Sequence, residues 1–419
     1  MFCIEITKQN KKYETKMLEE FRMFGLNHCE LPIIISNIAF LLRLIILNID
    51  NRNTEKIPTI SYIVTILSGI GYFYTYFLSV IWYVFWRCRE TGDKTAAIIV
   101  FSLGAASEIK NCSKNTFFIC RNSVKDIVDG YLALDALILP GSRLSRNMHR
   151  KLRIIKKRAL IYWIFIVSNG ILYILKPIIL PGRHLMEDNF DLIGLDPILE
   201  SPNYEIAFTA TVLGVFFTSY LSSTISAFLI VVTGFAESHL LALSEEITNL
   251  WEDANAEIET ASDVHLTADQ IVFLNINNRL REVIKTHITI INITKQIEKV
   301  FSGAILIEFI LVITSLIAEL LGGLENTYLE MPFALFQLTM DCITGQKLID
   351  ACDVFSRAVY DSKWEKFDVK NGRMVLLMLQ NSQKTLSLSA GGMTTLSFVC
   401  LMSMLKMIYS TYTTLRSTV

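Results

Sequence analysis

The stretch that decides the fold is the C-terminal segment Arg373–Val419, RMVLLMLQNSQKTLSLSAGGMTTLSFVCLMSMLKMIYSTYTTLRSTV. Between Leu386 and Leu415 only Lys406 carries a charge. A helix rises about 1.5 Å per residue, so the part after Gly392 is long enough to cross a hydrocarbon core roughly 30 Å thick. We therefore predict that the segment ends in a membrane-spanning helix.

Small and mostly hydroxyl-bearing side chains recur along this helix at steps of three and four residues. That spacing places them on one helical face. The face comprises Cys400, Ser403, Met407, Ser410, Thr411, Thr414 and Thr418. Such a face suits close packing against another helix. It also suits a water-filled ion path, in which several copies meet around an axis and the stripe from Ser403 to Thr418 lines the pore. Composition leaves both readings open.

Four segments in the C-terminal third carry a family resemblance. They are SRAVYDSKW (Ser356–Trp364), MLQNSQK, AGGMTTLSF and LKMIYSTYTTLRS, with Asp341, Cys342 and Gly345 upstream. In these segments the chain resembles the insect odorant receptors, which share an Ala-Gly-Gly break and a final Leu-Lys-x-x-Tyr-Ser helix. One position departs from the family, because Thr385 stands where a proline is usual.

Composition assigns the chain to a lipid bilayer. Of its 419 residues, 52% are hydrophobic and 19% are charged, and the mean hydropathy is +0.42. Ordinary soluble domains are less apolar and more charged. The net charge of -1 gives no reason to expect a nucleic-acid partner. No catalytic or metal-ligand motif is present in the sequence, so we expect no enzyme activity, cofactor or metal site.

Hydropathy predicts an all-α fold with seven transmembrane helices and cytosolic helical extensions. The predicted domains are a cytosolic segment with a short pre-helix (1–57), spans one to four (58–236), cytosolic extensions of helices four and five (237–299), spans five and six (300–352), a cytosolic anchor segment (353–392) and the pore-lining seventh helix (393–419).

The distribution of basic residues predicts the orientation. Lysine and arginine concentrate at the N-terminus, between Arg143 and Arg158, before the fifth span and after the sixth, and such loops face the cytoplasm. The N-terminus is therefore predicted to be cytosolic and the C-terminus extracellular. A G-protein-coupled chemoreceptor, the first alternative, has the opposite orientation. The second alternative is a channel of the gustatory receptor type, but the residues after Thr411-Tyr412 favour the odorant branch.

Three charged residues are predicted at mid-depth in the membrane: Glu308, Asp341 and Lys406. Charged groups at that depth are costly and usually pair with one another. We expect Lys406 to pair with Asp341 or Glu308. The pair is either a gating contact or a static bond that fixes the helix register.

Aromatic and small polar residues on the outer halves of four helices are candidates for a ligand pocket. They are Phe101 on the second span, Ser168, Asn169, Leu172 and Tyr173 on the third, Phe216, Phe217 and Tyr220 on the fourth, and Phe333, Phe336 and Met340 on the sixth. The resemblance implies an enclosed hydrophobic cavity among these four helices. For any one of these residues, lipid contact or plain core packing is the alternative.

The resemblance also implies a function. It predicts an odour-specific subunit of a ligand-gated, non-selective cation channel that binds a small volatile odorant. Such subunits assemble with the odorant receptor co-receptor, as a tetramer, in the dendritic plasma membrane of sensory neurons. Leu274–Ile291, Tyr360, Trp364 and Leu376–Leu379 match the cytosolic anchor that holds the subunits together.

Overall fold

The structure is a computed structural model, and it describes residues 22–54, 57–188, 190–256 and 267–417. Helices dominate this part of the chain, which confirms the predicted all-α class. The one departure within it is a pair of two-residue antiparallel strands ahead of the last helix. Thr418, one of the predicted pore residues, lies outside the described residues.

The helices of the N-terminal half begin with a short one that packs against later helices. They are α1 (Leu31–Leu44), α2 (Thr59–Thr91), α3 (Lys94–Glu108), α4 (Asn111–Ile119), α5 (Arg121–Ala136) and α6 (Arg143–Ile179). Proline in the first turn of α1 suits its start, where the missing N–H costs nothing. The Asp93 and Ser142 side chains cap α3 and α6 by accepting backbone N–H bonds.

The C-terminal half contains the longest helices. Its elements are α7 (Asn203–Thr248), α8 (Leu250–Ala256), α9 (Ala268–Gly322), α10 (Leu324–Thr327), α11 (Glu330–Tyr360), α12 (Val369–Ser382), β1 (Ser389–Ala390), β2 (Thr394–Thr395) and α13 (Phe398–Arg416). Helix α7 lies at the centre, where it packs against α2, α6 and α11, while α9 packs against α3 and α13.

Helices α7 and α9 are much longer than a bilayer is thick. They contain 46 and 55 residues, which correspond to lengths of about 69 Å and about 82 Å against a hydrocarbon core of roughly 30 Å. Each therefore extends outside the membrane, as the polar composition of 237–299 predicts. A capping box formed by Thr267 and Gln270 fixes the start of α9.

Among the residues that the structure describes, four helices are long and apolar enough to cross a membrane, namely α2, α6, α7 and α9. The other three predicted spans are also helical, as α3 with α4, as α11 and as α13. They are shorter or more polar, because they carry residues such as Lys110, Asp341 and Lys406. The total of seven spans and the orientation of the termini stay predictions.

The segment before α13 is held between α9 and α11 by glycines. Gly391 and Gly392 adopt left-handed backbone conformations, with φ of 60° and 72°, and Gly391 N–H donates to the Ser302 carbonyl at 2.8 Å. A Cβ added to Gly345 would lie 2.3 Å from the Leu396 carbonyl oxygen. The predicted Ala-Gly-Gly break is thus a tight hairpin that fixes where α13 begins.

In the first half of α9, the apolar residues of the segment Leu274–Ile291 do not all pack within the chain. Leu280 and Val283 are buried, whereas Leu274 and Ile288 are more than half exposed. The buried face runs instead through Val272, Ile276, Leu280, Val283, His287 and Ile290. Apolar residues occur on both sides of this helix, so spacing alone does not identify the side that packs within the chain.

Candidate ligand cavity and pore helix

A cavity of about 50 Å³ lies near the end of the bundle at which residues 180–202 form a long connection, here called the loop end. Helices α2, α3, α6, α7 and α11 surround it, together with the residue that precedes α11. Its lining consists of Tyr76, Leu103, Ala106, Ser107, Asn169, Gly170, Tyr173, Val215, Thr218, Ser219, Leu329, Glu330 and Phe333. The lining is apolar with a few polar groups, a composition typical of small-molecule sites.

A close helix crossing forms one side of the cavity. A Cβ added to Gly170 would lie 2.4 Å from Ser219 Oγ, so α6 and α7 touch at small residues. Tyr76 enters from α2, within a π-helical stretch, Phe73–Ser79. Such wider turns are common at functional sites. The small residues of this crossing, Gly170 and Ser219, can be found in the sequence, but nothing in the sequence predicts that Tyr76 lines the cavity.

The predicted pocket residues are only partly brought together. Asn169, Tyr173 and Phe333 line the cavity. Ser168 and Leu172 are exposed, although they have the same four-residue spacing as Asn169 and Tyr173. They are rotated by about 100° around α6 from the cavity face, which explains why their inward placement is wrong. Phe101 on α3 also does not line the cavity, and 43% of its surface is exposed.

Three other predicted pocket residues lie in a separate groove of about 220 Å³ between α1, α2 and α7. Phe216, Phe217 and Tyr220 line this groove from α7, and none of them is among the residues that line the cavity at the loop end. The Tyr220 hydroxyl donates to the Leu41 carbonyl at 3.0 Å. Their prediction as part of one pocket with the third and sixth spans is therefore wrong.

Phe336 and Met340 lie farther along α11 than the cavity-lining Phe333. The Phe336 ring contacts the rings of Tyr162 and Phe165, with centroid distances of 5.6 Å and 4.0 Å. Met340 is buried. Neither residue is among those that line the cavity, so their contacts here are those of core packing.

The long connection of the loop end packs beside the cavity, against Tyr173 and Leu103 of its lining. Leu185, Met186, Phe190 and Leu192 are buried there. The Tyr173 hydroxyl donates to Glu187 at 3.0 Å. Lys176 Nζ donates to the Met186 carbonyl at 2.8 Å and lies 3.5 Å from Glu187. Burial raises the pKa of the Glu187 carboxyl, and the nearby Lys176 opposes that change.

A buried ionic group lies deeper in the bundle. Lys110 Nζ is 2.9 Å from Glu308 and 3.1 Å from Asp341. The Ser113 hydroxyl also donates to Glu308. Lys110 occupies the break between α3 and α4, which brings its ammonium group against α9 and α11. We call Lys110, Glu308 and Asp341 the buried triad.

The prediction that Lys406 pairs with one of these carboxylates is wrong. Its side chain is exposed on α13, whereas Met404 and Ile408 on either side of it pack inward. Two residues along a helix correspond to a rotation of about 200°, so Lys406 points away from α9 and α11. The sequence did contain a signal for Lys110, because it interrupts an otherwise apolar helix.

The predicted pore face of α13 is largely free of contacts within the chain. Ser403, Met407, Ser410 and Thr414 are exposed, and Thr411 is half-buried. Cys400 departs from the predicted stripe, because it packs inward with Met404 and Ile408. The stripe therefore does not serve helix packing inside this subunit, which leaves lipid or a second subunit as its neighbour.

The part of the chain that the structure describes contains no candidate metal-binding site. No group of three histidine, cysteine, aspartate or glutamate residues comes close enough there to hold a metal ion.

Comparison with known proteins identifies the family. The family model described as 7tm Odorant receptor matches residues 117–409, well over half of the chain. The chain belongs to the odorant receptor family. Two relatives of this receptor in Drosophila melanogaster are Odorant receptor 22a, 26% identical over 145 residues, and Odorant receptor 82a, 24% identical over 204 residues. The aligned parts cover 33% and 46% of this chain and 36% and 48% of the relatives.

The fold of this odorant receptor resembles that of a solved relative. The insect olfactory receptor OR5 from Machilis hrabei superposes with a TM-score of 0.71 at 13% identity, covering 91% of this chain and 97% of OR5. The structure of OR5 in complex with eugenol gives a TM-score of 0.72 at 13% identity, covering 92% and 98%. The chain is accordingly an insect odorant receptor and a multi-pass membrane protein, and it is not an enzyme.

Proposed function

We propose that this receptor is the odour-specific subunit of a ligand-gated, non-selective cation channel in the dendritic plasma membrane of sensory neurons. The observation that carries the proposal is the stripe Ser403, Met407, Ser410 and Thr414. Its side chains are exposed, and they lie about 60–120° around α13 from the inward-packed Met404. In a tetramer whose α13 helices surround an axis, this stripe is the water-facing side.

The cavity at the loop end is the proposed odorant site. Its volume of about 50 Å³ is smaller than the ~150 Å³ of a cavity that holds benzene. Odorant binding therefore requires lining side chains to move. A ligand that fits the enlarged cavity better than the compact one shifts the population towards the enlarged state. The complex of the related OR5 with eugenol supports this choice of ligand class.

The proposed route from cavity to pore runs through α11. Phe333 and Glu330 of α11 line the cavity, and Asp341 of the same helix belongs to the buried triad. Helix α13 packs on both α9 and α11. A shift of α11 around a bound odorant therefore moves the surface on which the pore helix lies. In this proposal Glu308 and Asp341 are gating residues through Lys110.

The proposed partner is the odorant receptor co-receptor. At the end of the bundle opposite the loop end, large apolar side chains are exposed on the single chain. They are Leu274, Ile288, Tyr360, Trp364, Val369, Leu376 and Leu377. Exposed apolar groups concentrated in one region mark protein contacts. We assign this region to the anchor that holds the subunits in a heterotetramer, with a cytosolic location.

A cysteine modification experiment tests the pore. Thr414→Cys and Tyr409→Cys would each be expressed with the co-receptor, and a membrane-impermeant, charged methanethiosulfonate would be applied from outside. Both positions are exposed, but Tyr409 lies about 140° from Thr414 around α13. We expect the reagent to reduce odorant-evoked current by at least about half at position 414, because it adds a charge to the proposed ion path.

Current through Tyr409→Cys and through the unmodified receptor is expected to stay unchanged. Equal effects at both positions, or no effect at 414, would overturn the pore assignment. A G-protein-coupled chemoreceptor predicts no effect at 414, because its C-terminal end lies in the cytosol.

A further inference from the structure

Glu330 at the loop end has two other glutamates in its neighbourhood. Glu187 and Glu319 lie close enough to Glu330 to act on it electrostatically. We call these three glutamates the acidic set. Within the described residues, Lys176 is the basic side chain that pairs with this set, through Glu187. Glu330 has no ion pair of its own there.

Glu330 is the member of the acidic set that lines the cavity. It is only 6% exposed, and its Oε1 has no hydrogen-bond partner among the described residues. Its Oε2 lies 3.4 Å from the Ser102 hydroxyl. That hydroxyl has one proton and lies only 2.7 Å from the Ile99 carbonyl oxygen. The proton therefore goes to Ile99, and Glu330 is left almost without donors.

Glu330 lies in the first turn of α11, where the helix dipole favours a carboxylate but supplies no direct hydrogen bond to it. It is the first residue of α11, but no side-chain bond caps that helix. The described residues offer no third ligand for a metal ion. A buried carboxyl without donors is costly, and native proteins keep such groups where another molecule completes the bonding. The cavity beside Glu330 is the place for that molecule.

We propose that the cavity selects odorants that carry a primary amine, whose ammonium group donates to Glu330. This inference rests on the proposed function of the cavity as the odorant site. The ammonium supplies the positive charge that the acidic set lacks, and the hydrocarbon part of the ligand packs against Leu103, Val215 and Phe333. The rings of Tyr76 and Tyr173 in the same lining also favour a cation.

Pairs of ligands that have the same shape, one an amine and one an alcohol, test whether the cavity selects amines. The full receptor, expressed with the co-receptor, would be titrated with 3-methylbutylamine against 3-methylbutan-1-ol and with cyclohexylamine against cyclohexanol. Each pair has the same shape and differs in charge. We expect the amines to activate at concentrations lower by about tenfold or more, the factor typical of one charge-assisted hydrogen bond.

The variant Glu330→Gln keeps the shape of the side chain and removes its charge. We expect it to lower the ratio of amine sensitivity to alcohol sensitivity by about tenfold or more. Glu325→Gln, which changes an exposed glutamate near the same end of α11, is the matched control and should respond like the unmodified receptor.

The outcomes separate this inference from the proposed function. Alcohols or other neutral odorants that activate better than the amines would overturn the amine selection and leave the odorant site intact. Unchanged amine sensitivity in Glu330→Gln would also overturn it. No response to any volatile at normal surface levels would overturn the proposed function itself. If Glu330→Gln does not reach the surface, the amine-to-alcohol ratio of the unmodified receptor decides.

Discussion

Two groups of buried carboxyls in this receptor have opposite surroundings. In the buried triad, Glu308 and Asp341 share the Lys110 ammonium at 2.9 Å and 3.1 Å. In the acidic set at the loop end, Glu330 has a free oxygen and no cation of its own. Lys110 bonds to both carboxylates of the triad, and in this way it links the start of α4 to α9 and α11. The acidic set is incomplete within the chain, which is the condition of a site that awaits a ligand.

The largest loss of stability is expected when Lys110, the cation of the buried triad, is replaced. Lys110→Met leaves two buried carboxyls without a partner, and we expect it to lower the free energy of unfolding by about 3–5 kcal/mol. The measurement is the thermal transition of the detergent-solubilised receptor, followed by fluorescence-detected size exclusion.

The matched control is Lys114→Met, in the first turns of α4 and four residues after Lys110. Lys114 is half-buried and lies 4.5 Å from the centre of the Phe217 ring, a contact worth about 0.5–2 kcal/mol. Equal transition temperatures for the two variants would show that the triad does not stabilise the fold.

A smaller effect is expected when the same substitution is made in each group. Glu308→Gln removes one partner of Lys110 and should cost about 1–3 kcal/mol in unfolding free energy. Glu330→Gln removes a charge that has no partner, so we expect a change within about 0.5 kcal/mol or a gain in stability. The same thermal measurement applies to both. A larger loss in Glu330→Gln than in Glu308→Gln would reverse the contrast between the two groups.

The smallest loss of stability is expected at Glu187, the member of the acidic set that bonds to both Tyr173 and Lys176. Tyr173→Phe removes the hydroxyl that donates to Glu187 and should lower the free energy of unfolding by about 1 kcal/mol. Tyr409→Phe, which removes an exposed hydroxyl, is expected to have no measurable effect. If Tyr173→Phe also has none, the Tyr173 hydroxyl does not stabilise Glu187, and Lys176 is the partner that does.

The sequence predicts those features of the fold that depend on local pattern. Hydropathy and periodicity predicted the helical class and the polar extensions of α7 and α9. The quoted motifs predicted the family, and the Ala-Gly-Gly segment proved to be a hairpin with Gly391 and Gly392 in left-handed conformations. These features follow from backbone geometry and side-chain polarity, which single segments already contain.

The features that sequence missed depend on distant parts of the chain. A hydropathy window counts Lys110 as an interruption, because the carboxylates that neutralise it lie 198 and 231 residues away. The pair Asn169 and Tyr173 has the same spacing as Ser168 and Leu172, so only tertiary packing decides which pair lines the cavity. Nothing in the local sequence shows that Glu330 turns inward.

The uninterrupted course of α9 has a mechanical consequence. The helix continues from Ala268 to Gly322, with Glu319 near one end and Asn277, bonded to Asn371 of α12, near the other. A tilt of about 1° about one end of a rod of ~82 Å displaces its other end by about 1.4 Å. A tilt of α9 too small to break any contact at the loop end is in this way magnified into a movement as large as a covalent bond at the far extremity of the subunit.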